Sequence, residues 1–177
     1  MRNIVLLAIC SNLMVACNNP SPQKANNRTE QADSTSRILL ELNQSFIQLE
    51  IEEIETYISE NNLSMIRSEN GFWYHIEKEG AGKKIQSRQI VSIAYSVQLL
   101  SGKLCYESDK DGIKEFKVGK YQVEKGVDDM MLLLNAGAEA TCIIPSYLAH
   151  GVVGDRMCIP PRTPILYSIK VISIKDN

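Results

Sequence analysis

Few side chains in this sequence are spaced for covalent chemistry. The two histidines, His75 and His150, are too few and too scattered for a histidine metal cluster. The cysteines Cys10, Cys17, Cys105, Cys142 and Cys158 contain no CxxC pair, so no structural zinc site is expected. No metal and no cofactor is called for. What stands out is LAHGVVGDRMCIPPRT, Leu148 to Thr163. It carries two glycines, a charged pair, a cysteine and a double proline. It separates two apolar, β-branched runs, ATCIIP (Ala140–Pro145) and ILYSIKVISI (Ile165–Ile174). Read from its residues alone, this segment is a surface loop between two strands.

The other reactive candidate is Cys17. MRNIVLLAICSNLMVAC has one Arg and a short apolar run, too short to span a bilayer and right for a signal-peptide core. LMVAC resembles a bacterial lipobox, whose cysteine is lipidated and becomes the mature N-terminus. Residues 1–16 are then removed and Cys17 is the lipidation site, which predicts a lipid-anchored, periplasm-facing envelope protein. Cys105, Cys142 and Cys158 remain in an oxidising compartment. Three is odd, so at least one stays unpaired, and Cys142 within ATCIIP reads as a small core hydrophobe. The net charge of −2 provides no broad basic surface, so nucleic acid is not an expected partner.

The length of 177 residues suits one ordinary domain with additions. Residues 17–36 are rich in Asn, Ser, Pro and Gln and cannot bury a core, which predicts a disordered tether. Residues 37–70 hold an acidic amphipathic helix. Ser36 caps it, Ile38, Leu39, Leu42, Phe46, Leu49, Ile51, Ile54 and Ile58 recur at helical spacing, and Asn61 and Asn62 end it. Its stripe must pack on its own domain or on a second copy. From Gly71 to Asn177 the pattern is mostly strand. GFWYHIEKEGAG is a strand and turn. IVSIAYSVQLL places Val91, Ile93, Tyr95, Val97 and Leu99 on one face. EFKVGK is a short strand, and ATCIIP and ILYSIKVISI are the last two. VEKGVDDMMLLLNAG is one helix with Val127, Met130, Met131 and Leu134 inward. The fold class is α+β: a curved antiparallel sheet wrapped on one helix, preceded by the N-terminal amphipathic helix.

The ordered set of Tyr95, Ser101–Gly102–Lys103, FKVGK, the Gly-start helix, NAG, IPSYLAHG and IPP resembles FKBP-type peptidyl-prolyl isomerases, over about Gly71 to Lys175. The lipobox and acidic helix further resemble lipoprotein members from Bacteroidota, a group that includes gliding-motility-associated isomerases. The resemblance implies a half-open sheet around one helix, with an apolar pocket between them and the loop after LAxG as one wall. Its substrates are proline-containing polypeptides, and the expected role is folding of secreted or envelope proteins. The alternative is a non-catalytic binding module or chaperone lipoprotein of an envelope assembly.

Residue by residue, the resemblance makes Tyr95 a pocket-lining tyrosine and Tyr167 the counterpart of a Phe in the last strand. Ile159 would hydrogen-bond substrate through its amide. Tyr106 and Glu107 match a Phe–Asp pair if the preceding turn is one residue longer; otherwise Cys105 and Tyr106 do. These make Tyr95, Tyr106, Glu107, Ile159 and Tyr167 the catalytic set. Val123, Val127, Ala149, His150 and Cys158 are the substrate-binding set. Three positions depart from the pattern. Val127 replaces a pocket-floor Trp, Glu124 an apolar residue, and His150 a tyrosine. Trp73, the only Trp, lies in another strand.

Overall fold

The computed structural model describes residues 24–176, with side chains described from residue 34 onward. The signal segment, Cys17 and the first part of the expected tether lie outside those residues. Helix α1, Lys24–Glu60, starts well before Ser36. Lys, Ala, Arg, Glu and Gln in residues 24–32 are good helix formers, and they carry the hydrogen-bond ladder back into the segment that composition assigned to a tether. At the other end Asn62 takes a left-handed φ of 52°, as an Asn terminator should.

Seven strands follow in one antiparallel sheet: β1 (Ile66–Arg67), β2 (Trp73–Lys78), β3 (Ile90–Leu99), β4 (Leu104–Glu107), β5 (Lys114–Lys117), β6 (Glu139–Ile144) and β7 (Ile165–Lys175). The order is β1-β2-β6-β7-β3-β4, with β5 also paired to β3. The sequence reading lacked β1 and β4, whose few residues are too short to show a period. A one-turn helix α2 (Ser108–Asp111) links β4 to β5, and α3 (Lys125–Met131) lies across the inner face.

Alternation decides which face each residue serves. Val91, Ile93, Val97, Ala140, Cys142, Ile144, Tyr167, Ile169 and Val171 are buried inward, against Val127, Met130, Met131 and Leu134. Helix α3 comes very close to β6: a Cβ on Gly126 would lie 2.4 Å from Ile144 Cγ2. Only glycine permits that approach.

The outer face is polar except at one end. There Trp73 pairs with Ile143, and Ile143 with Leu166, across β2, β6 and β7. Ile51, Ile54 and Ile58 of α1 cover this row, and Ile54, Trp73 and Ile143 form a second buried cluster. Burial of Ile54 and Ile143 is worth about 1.5–3 kcal/mol each. The acidic helix therefore packs on its own domain through its last turns. Leu42 and Leu49, on the preceding turns, remain exposed. Among the described residues no helix is long and apolar enough to cross a membrane.

Candidate active site

On the inner face, beside the start of α3, lies a cavity of about 330 Å³ lined by Tyr95, Val97, Tyr106, Asp111, Lys114, Glu124, His150 and Asp155. Tyr95 enters from the middle of β3. Tyr167 sits diagonally across on β7, and the two rings stack with centroids 5.7 Å apart. Tyr167 is fully buried beneath Tyr95, and burial pushes its phenol well above the ordinary value.

One wall is the segment from Leu148 to Thr163, and it is tightly built. A 3₁₀ turn, Ser146–Leu148, begins it, and the Gly151 amide donates back to the Ser146 carbonyl at 2.7 Å. A Cβ on Gly154, at φ 68°, would fall 2.3 Å from the Ile159 carbonyl oxygen. Asp155 organises the tip. Its Oδ1 accepts the amides of Met157, Cys158 and Ile159 at 2.8, 3.0 and 2.8 Å. Its Oδ2 accepts the Tyr106 hydroxyl. Desolvation opposes ionisation of Asp155, but these donors outweigh it and hold its pKa at about 2; the same contact pushes Tyr106 up to about 12. A disulfide between Cys105 and Cys158 ties the loop to β4. Cys142 is the buried free thiol that the odd count required.

The rest of the cavity is charged. The Lys114 ammonium lies 4.8 Å from the Tyr95 ring centroid and 3.9 Å from Glu124 Oε2, and donates to Tyr167 Oη at 3.4 Å. His150 Nε2 is 3.2 Å from Glu124 Oε1, an ion-pair separation without hydrogen-bond alignment; Glu124 Oε2 is likewise buried without a hydrogen-bond partner. Contact with Glu124 raises the His150 pKa. Desolvation would raise the Glu124 pKa, but His150 and Lys114 hold it below its ordinary value.

Of the residues expected from sequence, Tyr95, Tyr106 and His150 line this cavity, with Tyr167 directly beneath. Val123 and Ala149 are half-buried against the core at its edge. Four expectations need correction. Glu107 pairs with Ser96 on β3 and lies by the outer face, in an ion pair with Lys110 at 2.6 Å. Cys105 is the bulged residue of β4, so Tyr106 pairs with Val97 and reaches the cavity. The Ile159 amide is engaged by Asp155 at 2.8 Å, rather than left open for substrate as expected. Val127 is fully buried in the core and does not line the cavity. The Cys158 sulfur is bound in the disulfide. Trp73 lies under α1 and does not replace a pocket Trp.

Asp111, Lys114 and Asp155 line the cavity without having been expected from sequence. Asp155 had a legible local signal, a carboxylate followed by amides within four residues in a Gly-rich loop. Lys114 had none, because its role depends on β3, β7 and α3 meeting.

Residues 81–172 match the family model described as FKBP-type peptidyl-prolyl cis-trans isomerase. A relative from Neisseria meningitidis serogroup B, described as a probable FKBP-type peptidyl-prolyl cis-trans isomerase FkpA, is 30% identical over 125 residues, covering 70% of this chain and 46% of its own. A probable FKBP-type isomerase from Haemophilus influenzae is 29% identical over 111 residues, covering 62% of this chain and 45% of its own. The chain thus spans under half the length of these relatives. FkpA from Escherichia coli shares the fold at a TM-score of 0.64 with 20% identity, over 85% of this chain and 70% of that one. AtFKBP13 does so at 0.60 with 26% identity, over 62% of this chain and 98% of that one.

Proposed function

The chain belongs to the FKBP-type peptidyl-prolyl cis-trans isomerase family, and on that premise we propose that it catalyses rotation about X–Pro amides in secreted or envelope polypeptides. One observation carries the reading: a cavity of about 330 Å³ whose floor, Tyr95 stacked on Tyr167, is walled by a loop locked through Asp155 and the Cys105–Cys158 disulfide. Rotation faces a barrier of about 18–20 kcal/mol set by amide resonance. Uncatalysed exchange takes roughly 10–100 s. No nucleophile is needed. Twisting leaves a less polar carbonyl and an amine-like nitrogen, so a site that binds the twisted amide better than the planar one accelerates the reaction. Tyr95, backed by the buried Tyr167 stacked beneath it, offers the ring surface for the prolyl group, and the rigid loop fixes the preceding residue.

The envelope setting is part of the proposal. The LMVAC motif supports lipidation at Cys17, in the manner of lipoprotein members from Bacteroidota, and the Cys105–Cys158 disulfide suits an oxidising compartment. A second reading, a binding module without turnover, is favoured by the charged Lys114, Glu124 and His150 in the cavity. Exchange NMR on short X–Pro peptides with the full chain separates the two. Rate enhancement on Leu–Pro peptides is expected. A folded chain that binds such peptides and leaves their exchange at the buffer rate refutes the isomerase reading. Detergent partitioning of wild type and Cys17→Ser tests the anchor, and an unchanged membrane fraction for the variant refutes it.

A further inference from the structure

Lys114 is an odd side chain to find in this cavity. Placing an ammonium among aromatic rings costs desolvation unless partners compensate. Here they do so only loosely. The tyrosine faces lie 4.8 and 6.0 Å away, Glu124 Oε2 is at 3.9 Å, and among the described residues the one hydrogen bond, to Tyr167 Oη, is long at 3.4 Å. The ammonium has three N–H donors, and with the side chain 32% exposed, those not given to Tyr167 are open to solvent or to a bound group. It lines the same cavity as Tyr95, Tyr106 and His150, so a prolyl residue bound there would meet it.

The chemistry of rotation makes that position significant. In the planar amide the nitrogen lone pair is delocalised into the carbonyl, and the nitrogen is no acceptor. As the bond twists, the nitrogen becomes pyramidal and its lone pair localises. A cationic N–H beside it then gains a charge-assisted hydrogen bond that did not exist in the ground state. An interaction present only at the top of the barrier raises kcat and leaves ground-state binding almost unchanged.

We propose that Lys114 is a catalytic residue of the isomerisation, its ammonium donating a hydrogen bond to the prolyl imide nitrogen as it pyramidalises. The proton stays on Lys114 throughout, and no bond to it is made or broken. Glu124 and the two tyrosines are the positioning partners that keep the side chain over the floor. This assignment rests on the isomerase reading above.

The test uses the full chain, exchange NMR and Leu–Pro, Ala–Pro and Glu–Pro peptides. Lys114→Met keeps length and apolar stem; Lys114→Arg keeps a cationic donor. The Met variant should lose about ten- to hundredfold in kcat on all three peptides, with KM changed by less than about threefold, and an unchanged circular dichroism spectrum. The Arg variant should recover a substantial part of kcat. Three results overturn the assignment: kcat unchanged or raised in the Met variant; a loss confined to Glu–Pro, which marks Lys114 as a reader of an acidic neighbour; or equal losses in the Met and Arg variants, which mark a packing role. Wild type without activity on any peptide refutes the isomerase reading itself, a result distinct from active wild type with an equally active Met variant.

Discussion

Replacing Asp155 by Asn tests how far one carboxylate shapes the pocket wall. In the folded chain its charge accepts three amides and the Tyr106 hydroxyl. Asn keeps an acceptor for the amides but turns a donor toward Tyr106. The fall of the Asp155 pKa from its ordinary 3.8 to about 2 is equivalent to about 2.4 kcal/mol. The loop is partly open to solvent, and screening reduces this to about 1–2 kcal/mol. A depressed carboxylate stabilises above its unfolded value and stops doing so as pH falls through its folded one. Wild type should therefore exceed Asp155→Asn by about 1–2 kcal/mol from pH 7 down to about 4.5, and the gap should narrow between about 4 and 2. Urea denaturation with the disulfide intact, repeated across that range, measures it. A gap that persists unchanged to pH 2 refutes the electrostatic account, since the charge is then not its source. A gap below about 0.3 kcal/mol at pH 7 refutes the claim that Asp155 organises the loop.

Other outcomes follow from the same geometry. Glu50, buried on α1, accepts the Ser146 amide and, at 2.7 Å, its hydroxyl; Glu50→Ala strands both donors and should cost about 1–3 kcal/mol in denaturation, with Glu50→Gln recovering much of it. Cys105→Ser with Cys158→Ser opens a link across a sequence separation of 53 and should cost about 2–4 kcal/mol; wild type in reductant should fall to the variant's stability, and no change on reduction counts against the bridge. Val127→Trp should lose about 1–3 kcal/mol in melting experiments, because Val127 is fully enclosed and overpacking strains its neighbours. His150, raised by Glu124, contributes stability that is complete below its unfolded value near 6.5 and lost as pH rises through its folded one. The stability gap between wild type and His150→Gln should therefore shrink on going alkaline, and a gap that grows with pH refutes the pairing.

The inner face of β3, the inward residues of α3 and the two long closing strands were legible because each has a period, two or 3.6, sustained over several residues. The N-terminal stretch of α1 was hidden by composition, since Asn and Ser read as tether even where helix formers are interspersed. The site was legible as a set of inward tyrosines and a loop, and illegible where contacts cross strands. A single bulge at Cys105 sends Tyr106 inward and Glu107 outward, and no local pattern announces a bulge. The use of the Ile159 amide by Asp155 was equally hidden, because it depends on how a Gly-rich loop closes on itself.

The same logic changes where the catalytic unit begins. Composition divides residues 37–70 from the rest as a separate acidic helix. Yet Glu50 holds Ser146, the first residue of the 3₁₀ turn that opens the pocket loop. Asn43 Oδ1 accepts Arg162 from the far end of that loop at 3.2 Å, and the Arg162 guanidinium lies 4.2 Å over the Phe46 ring. One helix face therefore grips both ends of the wall while the next turns bury Trp73 and Ile143 behind the sheet. A loop fixed at both ends loses less conformational entropy when substrate binds than one fixed at neither. The contact pattern agrees, placing Leu42 to Asn177 in one compact unit. The helix from Leu42 onward is thus part of the apparatus that shapes the pocket, and its removal acts on the wall through Ser146 and Arg162 as well as on the sheet it covers.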